Sequence, residues 1–380
     1  MDLTDYRRQI DDVDARLVQL FAERMRICAD IGAYKKEHGL PVLNAGRERE
    51  KLKAVADAVP EDLSDYTLEL YSLLMELSRA YQSRLTGTGN DLTRRVEAAL
   101  AGTSQVFPSR AAVACQGVEG AYSQLACDKV FRRADIRYYP TFDSVFEAIE
   151  AGECRYGVIP VENSTAGTVN KVYDAMQRHR FSIVRSIRLK VDHNLLTLPG
   201  ASLTDIRRIY SHEQAISQCS EFLNRLENVE VIPCANTAVA ARMVAESGQK
   251  DMAALSSRAC MKHYGLSCAA ENVQNQGGNY TRFVCISREL EIYPGADRTS
   301  LMLILPHEPG SLYKVLSRLY ALDINLLKLE SRPLPDRDFE FMFYFDLDVP
   351  VRSPSLLQLL QELGGLCESF TYLGSYSEVV

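Results

Sequence analysis

Apolar residues recur along the first 36 positions at steps of three and four, a spacing that places side chains on one face of a helix. The stripe consists of Leu3, Tyr6, Ile10, Val13, Leu17, Leu20, Ile27 and Ile31. This pattern predicts a long helix with one buried face. Between Leu20 and Ile27 one apolar position is skipped, and that position holds Arg24.

Arg24 is therefore a cation on a face that should be buried, where a charge is costly unless it is paired or binds an anion. Lys35 follows eleven residues later, almost three whole turns, and faces the same way. Two interpretations stay open. Either the two cations line a pocket for an anionic small molecule, or Arg24 extends to solvent at the edge of a small helix bundle.

Arg7 bears on the first interpretation. It lies 17 residues before Arg24, about 25 Å along a helix, and cannot reach the same pocket within one chain. It would reach the equivalent pocket of a second copy if two such helices packed antiparallel. The anion-pocket hypothesis therefore predicts an intertwined dimer.

Further along the chain, the pattern of apolar positions changes near residue 109 and again near residue 297. Residues 1–85 read as all helix, with a second helix from near Arg47 and a third from about Ser64 to Leu85. Residues 86–108 are rich in Gly, Thr and Ser at their ends, which predicts a linker.

Residues 109–290 alternate short apolar runs with helical patterns, as α/β domains do. Their length suits two facing lobes, the second from about Asp192, similar to periplasmic-type binding domains. Sites in such sheets gather at the carboxyl ends of the strands. Residues 297–376 show the order βαββαβ of a ferredoxin-like α+β unit. The predicted fold class is thus multidomain: all-α, then two-lobed α/β, then α+β.

Composition narrows the class of protein. The chain has 380 residues, 46% apolar and 24% charged, as expected for two to four globular domains. A net charge of −7 gives no reason to expect nucleic-acid binding. We also expect no membrane span and no signal peptide. Ten singly scattered cysteines and six scattered histidines argue against a disulfide framework, a metal or another cofactor, and fit a reducing cytoplasm.

Each module carries short motifs. The helical module contains GREREKL (46–52) and SRAYQ (78–82). The α/β region contains GVEGAYS (117–123), PVENSTAGTVN (160–170), SHEQAISQC (211–219), NTAVAA (236–241) and NYTRF (279–283). The last module contains EPGSL (308–312) and ESRP (330–333). In this order the set resembles the family of bifunctional chorismate mutase–prephenate dehydratases with a C-terminal ACT domain, over nearly the whole chain.

For the helical module, the resemblance implies a catalytic set of Arg7, Arg24, Lys35, Arg47, Glu48, Ser78 and Gln82. Conversion of chorismate to prephenate is pericyclic, so the enzyme need only hold the compact conformer and stabilise charge on the ether oxygen. Arg7, entering from the other subunit, and Arg24 would clamp the carboxylates, while Lys35 and Gln82 donate to the ether oxygen. Asn44 stands where the family often has Asp and is assigned to substrate binding.

For the α/β region, the resemblance gives Thr281 of the T-R-F motif the acid-like role in expelling the ring hydroxyl of prephenate. The implied substrate-binding set is Glu162, Asn163, Ser164, Ser211, Gln218, Thr237 and Arg282. Arg282 either binds a carboxylate or only braces its lobe. For His212 a structural role is expected, through hydrogen bonds that hold the SHEQ turn.

For the last module, the resemblance implies an amino-acid effector site formed by Gly310, Ser311, Leu312, Glu330, Ser331 and Arg332. Glu330 would take the ligand's ammonium group or pair with Arg332. The leading hypothesis is a cytoplasmic homodimer or homotetramer that makes phenylpyruvate from chorismate and is inhibited by L-phenylalanine. The alternatives are a dehydratase whose helical module only dimerises, and a non-enzymatic amino-acid sensor.

Overall fold

The computed structural model describes residues 2–86, 90–335, 337 and 340–379. The N-terminal helices are α1 (Leu3–Glu37), α2 (Ala45–Ala56), α3 (Glu61–Thr86) and α4 (Asn90–Gly102). Asp2 begins α1 by accepting hydrogen bonds from the backbone N–H groups of Thr4 and Asp5. The prediction of an all-helical module is confirmed. None of the described helices combines the length and apolarity needed to cross a bilayer.

The predicted linker is wrong for residues 90–102, because these form α4. Val96 is 1% exposed, and Leu92, Ala99 and Leu100 pack with it on the core of the C-terminal domain. Their steps of three and four form one helical face. The Gly- and Thr-rich flanks obscured this short pattern.

The predicted buried face of α1 is mostly exposed in the single chain. Leu3, Ile10 and Leu20 are 65%, 60% and 59% exposed. Only the C-terminal part of α1 packs well on α3, where Cys28 and Gly32 are buried. The first two-thirds of the stripe therefore has no cover within the described part of this chain.

The next region forms two α/β lobes. Lobe one contains β1 (Arg110–Gln116), α5 (Tyr122–Val130), β2 (Arg133–Tyr139), α6 (Phe142–Glu150), β3 (Tyr156–Asn163), β4 (Gly167–Thr168), α7 (Asn170–Arg178) and β5 (Ser182–Lys190). Lobe two contains β6 (Asn194–Thr197), β7 (Arg208–Ser211), α8 (Glu213–Gln218), α9 (Ser220–Leu223), β8 (Glu230–Pro233), α10 (Thr237–Ser247), β9 (Met252–Ser256), α11 (Arg258–Tyr264) and β10 (Ser267–Ala270). The chain then returns to lobe one as β11 (Tyr280–Ser287).

Two crossovers, residues 191–193 and 271–279, connect the lobes and are hydrogen-bonded to each other. The backbone N–H of Val191 donates to the carbonyl of Asn279 (2.8 Å), and that of Val273 donates to the carbonyl of His193 (2.9 Å). Lobe two has its own five-stranded sheet, in the order β10-β6-β9-β7-β8. The two-lobed prediction is confirmed.

The C-terminal domain contains β12 (Arg298–Ile304), α12 (Ser311–Ala321), β13 (Asn325–Pro333), β14 (Phe341–Asp348), α13 (Pro354–Leu363) and β15 (Ser369–Val379). Its strands follow the ferredoxin-like order β13-β14-β12-β15. The end of β15 pairs in parallel with β5, joining residues 377–379 to residues 185–187. The sheets of the C-terminal domain and lobe one are therefore one continuous sheet.

The short apolar runs between residues 109 and 290 predict strands at residues 111–117, 136–142, 156–162, 181–187, 207–212, 229–235, 251–257 and 281–287. Each of these runs coincides with a strand of the structure. The prediction missed β4, β6 and β10, each of two to four residues, and the seven-residue α11. Elements this short contain too few alternations or turns for a period to show.

Candidate active sites and effector cavity

Four of the sequence motifs are turns that lead from a strand toward a helix. GVEGAYS follows β1 and begins α5, while PVENSTAGTVN spans β3 to the start of α7. SHEQAISQC joins β7 to α8, and NTAVAA follows β8 and begins α10. The carboxyl ends of parallel strands meet at one edge of a sheet, so all four turns face the cleft between the lobes.

The cleft has a volume of about 570 Å³. Residues from all four turns line it, including Tyr122, Lys171, Gln214 and Thr237, each within the first turn of its helix. Backbone N–H groups at helix N-termini attract anions, and Lys171 adds a positive charge. Because the described lining residues include no Asp or Glu, the cleft suits a small molecule with carboxylate groups.

Thr281 and Asn163 are paired in register across β11 and β3 and both line the cleft. Asn163 Nδ2 donates to Thr281 Oγ1 (2.9 Å). Asn163 Oδ1 accepts from the backbone N–H groups of Thr165 (3.1 Å) and Ala166 (2.9 Å). A backbone N–H can only donate, so the amide orientation of Asn163 is determined. The Thr281 oxygen is then an acceptor, and its own proton is left to donate into the cleft.

Gln218 joins this pair to lobe two. Its Nε2 donates to Thr165 Oγ1 (2.7 Å), and its Oε1 accepts from Asn279 Nδ2 (3.0 Å). Asn279 Oδ1 in turn accepts from Asn163 Nδ2 (2.6 Å). His193 Nε2 lies 3.0 Å from the same Gln218 oxygen. A network of polar side chains thus spans both lobes and both crossovers behind Thr281.

Of the predicted binding residues, Asn163, Gln218 and Thr237 line the cleft, whereas Ser164 and Ser211 do not. Ser164 Oγ donates to the carbonyl of Gly278 (3.1 Å) on the other side of its turn. Ser211 is fully buried and donates to the carbonyl of Leu255 (2.8 Å). Both serines brace backbone, so their assignment to substrate contact was wrong.

Glu162 and Arg282 also point away from the cleft, because neighbouring residues on a strand face opposite sides. Arg282 Nη2 lies 2.5 Å from Asp346 Oδ2 on β14. Burial by itself lowers the pKa of Arg282, but the negative charge of Asp346 opposes this effect, and the net shift is upward. Glu162 pairs with Lys328 on β13 (3.0 Å). Of the two roles considered for Arg282, the structure supports bracing. Neither residue lies where it could bind substrate in the cleft.

His212 is the N-cap of α8, and its side chain accepts from the backbone N–H of Gln214 (3.3 Å). This is the structural role expected from the sequence. The sequence reasoning missed Thr165, Lys171, His193 and Asn279. Three of these lie within or directly after the quoted motifs, but a lone histidine before a short strand carries no local signal.

In the helical module, Arg24 and Ser78 meet across α1 and α3. Arg24 Nη1 donates to Ser78 Oγ and to the carbonyl of Leu74 (3.2 Å). Ser78 and Gln82 are 5% and 6% exposed and lie one turn apart on α3. Gln82 packs against Gly32 of α1. Arg7 is exposed on the distant part of α1, as its spacing requires.

The residues predicted at and just before α2 differ in their exposure and in their hydrogen-bond partners. Glu48 accepts from Arg79 Nη1 of α3 at 2.5 Å. Arg47 is 74% exposed and pairs with Glu50. Asn44 is the N-cap of α2, with its side chain accepting from the backbone N–H of Arg47 (3.0 Å). Its contact with substrate stays a prediction.

Lys35 is held near the end of α1. Its Nζ donates to the carbonyl of Val42 in the loop before α2 (2.5 Å). This bond keeps the lysine on the side of the helix that faces α2.

In the C-terminal domain, Gly310, Ser311 and Leu312 line a cavity of about 390 Å³ at the start of α12. Glu330 and Arg332 lie elsewhere: Glu330 accepts from Thr168 Oγ1 (2.6 Å), and Arg332 makes a bidentate pair with Asp174 of α7 (2.7 to 3.0 Å).

Ser331 is exposed on the edge strand β13. The ESRP motif therefore binds the C-terminal domain to lobe one. Its residues do not join the Gly310 cavity within a single chain.

The anion-attracting interlobe cleft with its oriented Thr281, together with the cations Arg24 and Lys35 held on one helix of a separate module, indicates a two-site enzyme for carboxylate substrates. Within the ranges that the structure describes, no three His, Cys, Asp or Glu side chains cluster closely enough to hold a metal ion.

Comparison with known proteins gives the family. A prephenate dehydratase model matches residues 113–291, and a chorismate mutase type II model matches residues 6–83. The bifunctional chorismate mutase/prephenate dehydratase of Escherichia coli K12 is 31% identical, covering 97% of this chain and 95% of that protein. The chain belongs to the family of bifunctional chorismate mutase/prephenate dehydratases of phenylalanine biosynthesis.

Two solved structures resemble a large part of the chain. One is a prephenate dehydratase in complex with L-Phe from Arthrobacter aurescens, with a TM-score of 0.65 and 27% identity, covering 70% of this chain and 89% of that chain. The other, described as GqqA, a quorum quenching acylase, has a TM-score of 0.65 and 31% identity, covering 70% and 98%.

Proposed function

We propose that the helical module converts chorismate to prephenate, and that the interlobe cleft converts prephenate to phenylpyruvate, CO₂ and water. The observation that carries the second step is the orientation of the Asn163 amide. It leaves the Thr281 hydroxyl as a hydrogen-bond donor at the centre of a cleft that attracts carboxylates.

In the cleft, the reaction breaks the bond from the ring to its hydroxyl and the bond from the ring to its carboxylate, and the ring becomes aromatic. Hydroxide is a poor leaving group, so a donor aimed at the departing oxygen lowers the barrier. Thr281 supplies that hydrogen bond, and solvent supplies the net proton that completes the water molecule. The helix N-termini and Lys171 hold the carboxylates in place.

In the helical module, Arg24 and Lys35 provide positive charge, and Gln82 provides a hydrogen-bond donor. Glu48, positioned by Arg79, would accept from the hydroxyl of chorismate. Because Arg47 is exposed, its contribution to catalysis would be indirect, through Glu48 and neighbouring residues. The second carboxylate is left for Arg7 of a second copy.

That second copy follows from the exposed stripe of α1. A helix of 35 residues is about 50 Å long, and its first two-thirds presents large apolar side chains to solvent. Antiparallel packing of two α1 helices would cover the stripe and bring each Arg7 toward the other chain's Arg24. We therefore propose that the protein is at least a homodimer.

For regulation, we propose that the C-terminal unit is an ACT domain and that its Gly310 cavity binds L-phenylalanine. The N-terminus of α12 would receive the amino-acid carboxylate. Inhibition requires that the amino acid bind one lobe arrangement more tightly than another. The chain carries ten free thiols, which suits the cytoplasm proposed for it.

The test is incubation of the purified chain with chorismate alone, followed by product analysis. The intact protein should accumulate phenylpyruvate. The Thr281→Ala variant should accumulate prephenate instead, with its dehydratase kcat reduced about 100-fold or more. Mutase activity in the same sample is the control for folding.

Thr281→Ser, which keeps the hydroxyl, should retain most of the dehydratase activity. Undiminished phenylpyruvate from Thr281→Ala would remove Thr281 from the mechanism. Unconsumed chorismate from the intact chain would reduce the helical module to a dimerisation element.

A further inference from the structure

His193 is a buried side chain at the point where the first crossover enters lobe two, and the steps described above do not use it. It is 3% exposed. Its backbone N–H donates to Gln274 Oε1 (3.0 Å), and its carbonyl accepts from the backbone N–H of Val273 (2.9 Å). Both partners belong to the return crossover, so the backbone of His193 is fixed to that second connection between the lobes.

The hydrogen-bond network determines which ring nitrogen of His193 carries a proton. Asn279 Oδ1 accepts from Asn163, so Asn279 Nδ2 must be the group that donates to Gln218 Oε1. Thr165 Oγ1 donates its own proton to Asn163 Oδ1 (2.8 Å) and therefore accepts from Gln218 Nε2, which agrees with this direction of the Gln218 amide. The atom that His193 Nε2 meets at 3.0 Å is therefore an acceptor, and Nε2 must carry hydrogen.

The other ring nitrogen, Nδ1, is buried and has no hydrogen-bond partner among the described residues. A second proton there would place a charged ring and an unmatched donor in the interior, which is costly. Burial accordingly lowers the pKa of His193, although the hydrogen bond with Gln218 and the charge of Asp192 oppose the shift. Asp192 is itself paired with Lys190 (3.0 Å). The ring is thus neutral, with its hydrogen on Nε2.

We propose that His193 is a positioning residue for the dehydratase reaction: its Nε2–H holds the Gln218 amide across the two lobes and so keeps Thr281 correctly oriented. Gln218 is the member of this network that lobe two contributes. Without the imidazole donor, one of the two bonds to its oxygen is lost. The amide and its bond to Thr165 then become free to reorient.

This inference rests on the role proposed for Thr281. It predicts an effect on the chemical step, because the ring of His193, which lines the cleft, is hydrogen-bonded to Gln218 of the network behind Thr281. A residue that only filled the core would instead affect stability alone.

Two substitutions separate these roles. His193→Gln keeps a donor, since its Nε2 reaches about as far as the imidazole Nε2. His193→Leu has similar bulk and no donor. In the full-length chain, His193→Leu should lower the dehydratase kcat about tenfold or more, with KM for prephenate changed less than about threefold. His193→Gln should stay within about threefold of the unsubstituted kcat.

Chorismate consumption by the same samples measures mutase activity, which shows whether the rest of the protein is folded. Equal kcat for His193→Leu and the unsubstituted protein would overturn the inference, as would equal losses in both variants. If Thr281→Ala kept full activity, the proposed function itself would fail, whatever the His193 variants did.

A second measurement applies even if His193→Leu does not fold. In the unsubstituted protein labelled with ¹⁵N-histidine, the His193 ring should show a protonated Nε2 and an unprotonated Nδ1 at neutral pH. Its signals are assigned by their loss in His193→Gln. A ring protonated on Nδ1 and unprotonated on Nε2 could not donate to Gln218. That result would overturn the proposal.

Discussion

Thr281 and Arg282 are neighbours in one motif but face opposite sides of β11. Thr281 lines the cleft, whereas Arg282 is buried against Asp346 of the C-terminal domain. The alternation of side chains along a strand requires this separation. Assigning every residue of a motif to substrate contact therefore includes too many residues. The same alternation occurs on β3, where Asn163 lines the cleft and its neighbour Glu162 does not.

Gly310 is the residue on which the proposed effector site can be tested. Its φ is +82°, in the left-handed region, and a Cβ built there would meet no atom within 4 Å. Asn tolerates this backbone conformation better than most residues. Gly310→Asn should therefore preserve the fold while placing a side chain where the amino acid would bind.

We expect Gly310→Asn to raise the L-phenylalanine concentration for half-inhibition about tenfold or more, with dehydratase activity in its absence nearly unchanged. The measurement is phenylpyruvate formation across a series of L-phenylalanine concentrations. Gly295→Asn is the matched control, because Gly295 also has a φ of +82° and open space around it but does not line the cavity. Unaltered inhibition in Gly310→Asn would count against the cavity.

At the scale of elements, β11 and β14 are linked by a buried charge pair. Arg282 and Asp346 have side-chain exposures of 10% and 1%, and Ser300 and Tyr376 also donate to Asp346 Oδ1. Removal of one member of such a pair leaves a buried charge without its partner. The strand that carries Thr281 thus depends on the C-terminal domain for its charge balance.

Asp346→Asn should accordingly lower the free energy of unfolding by about 3 to 5 kcal/mol. Urea denaturation followed by circular dichroism measures this change. Asp143→Asn is the control, because its pair with Arg178 is about half exposed and should contribute less than about 1 kcal/mol. Equal effects of the two substitutions would show that the buried pair does not hold the domains together.

At the scale of the whole molecule, the exposed apolar stripe of α1 is the basis for the proposed homodimer. Mixing two inactive chains tests this arrangement. Arg7→Ala and Arg24→Ala should each abolish mutase activity alone, since each removes one clamp from every site. A heterodimer of the two would contain one site with both arginines intact.

Random association makes half of the dimers mixed, so co-expression should restore about a quarter of the mutase activity. Dehydratase activity should be normal in both variants and in the mixture, which controls for folding. Co-purification of differently tagged chains would show that heterodimers form. Heterodimers without mutase activity would place Arg7 outside the site of the other chain.

Much of this protein could be predicted from local sequence. The helices of the N-terminal module and the strands of the lobes followed from apolar periods of 3.6 and 2, because those periods reflect which side chains each element buries. The turns that line the cleft were identified through their resemblance to the family's motifs, and their Gly, Asn and Ser residues suit turn and cap geometry at the ends of strands.

Tertiary structure decided the rest. Glu162, Arg282, Glu330 and Arg332 could be assigned to the domain interface only once segments more than about 60 residues apart in the chain had come together. His193 acquired a role only when lobe two brought Gln218 to within 3.0 Å of its ring. Ion pairs and hydrogen bonds depend on distance in space, and the spacing of residues along the chain does not contain that distance.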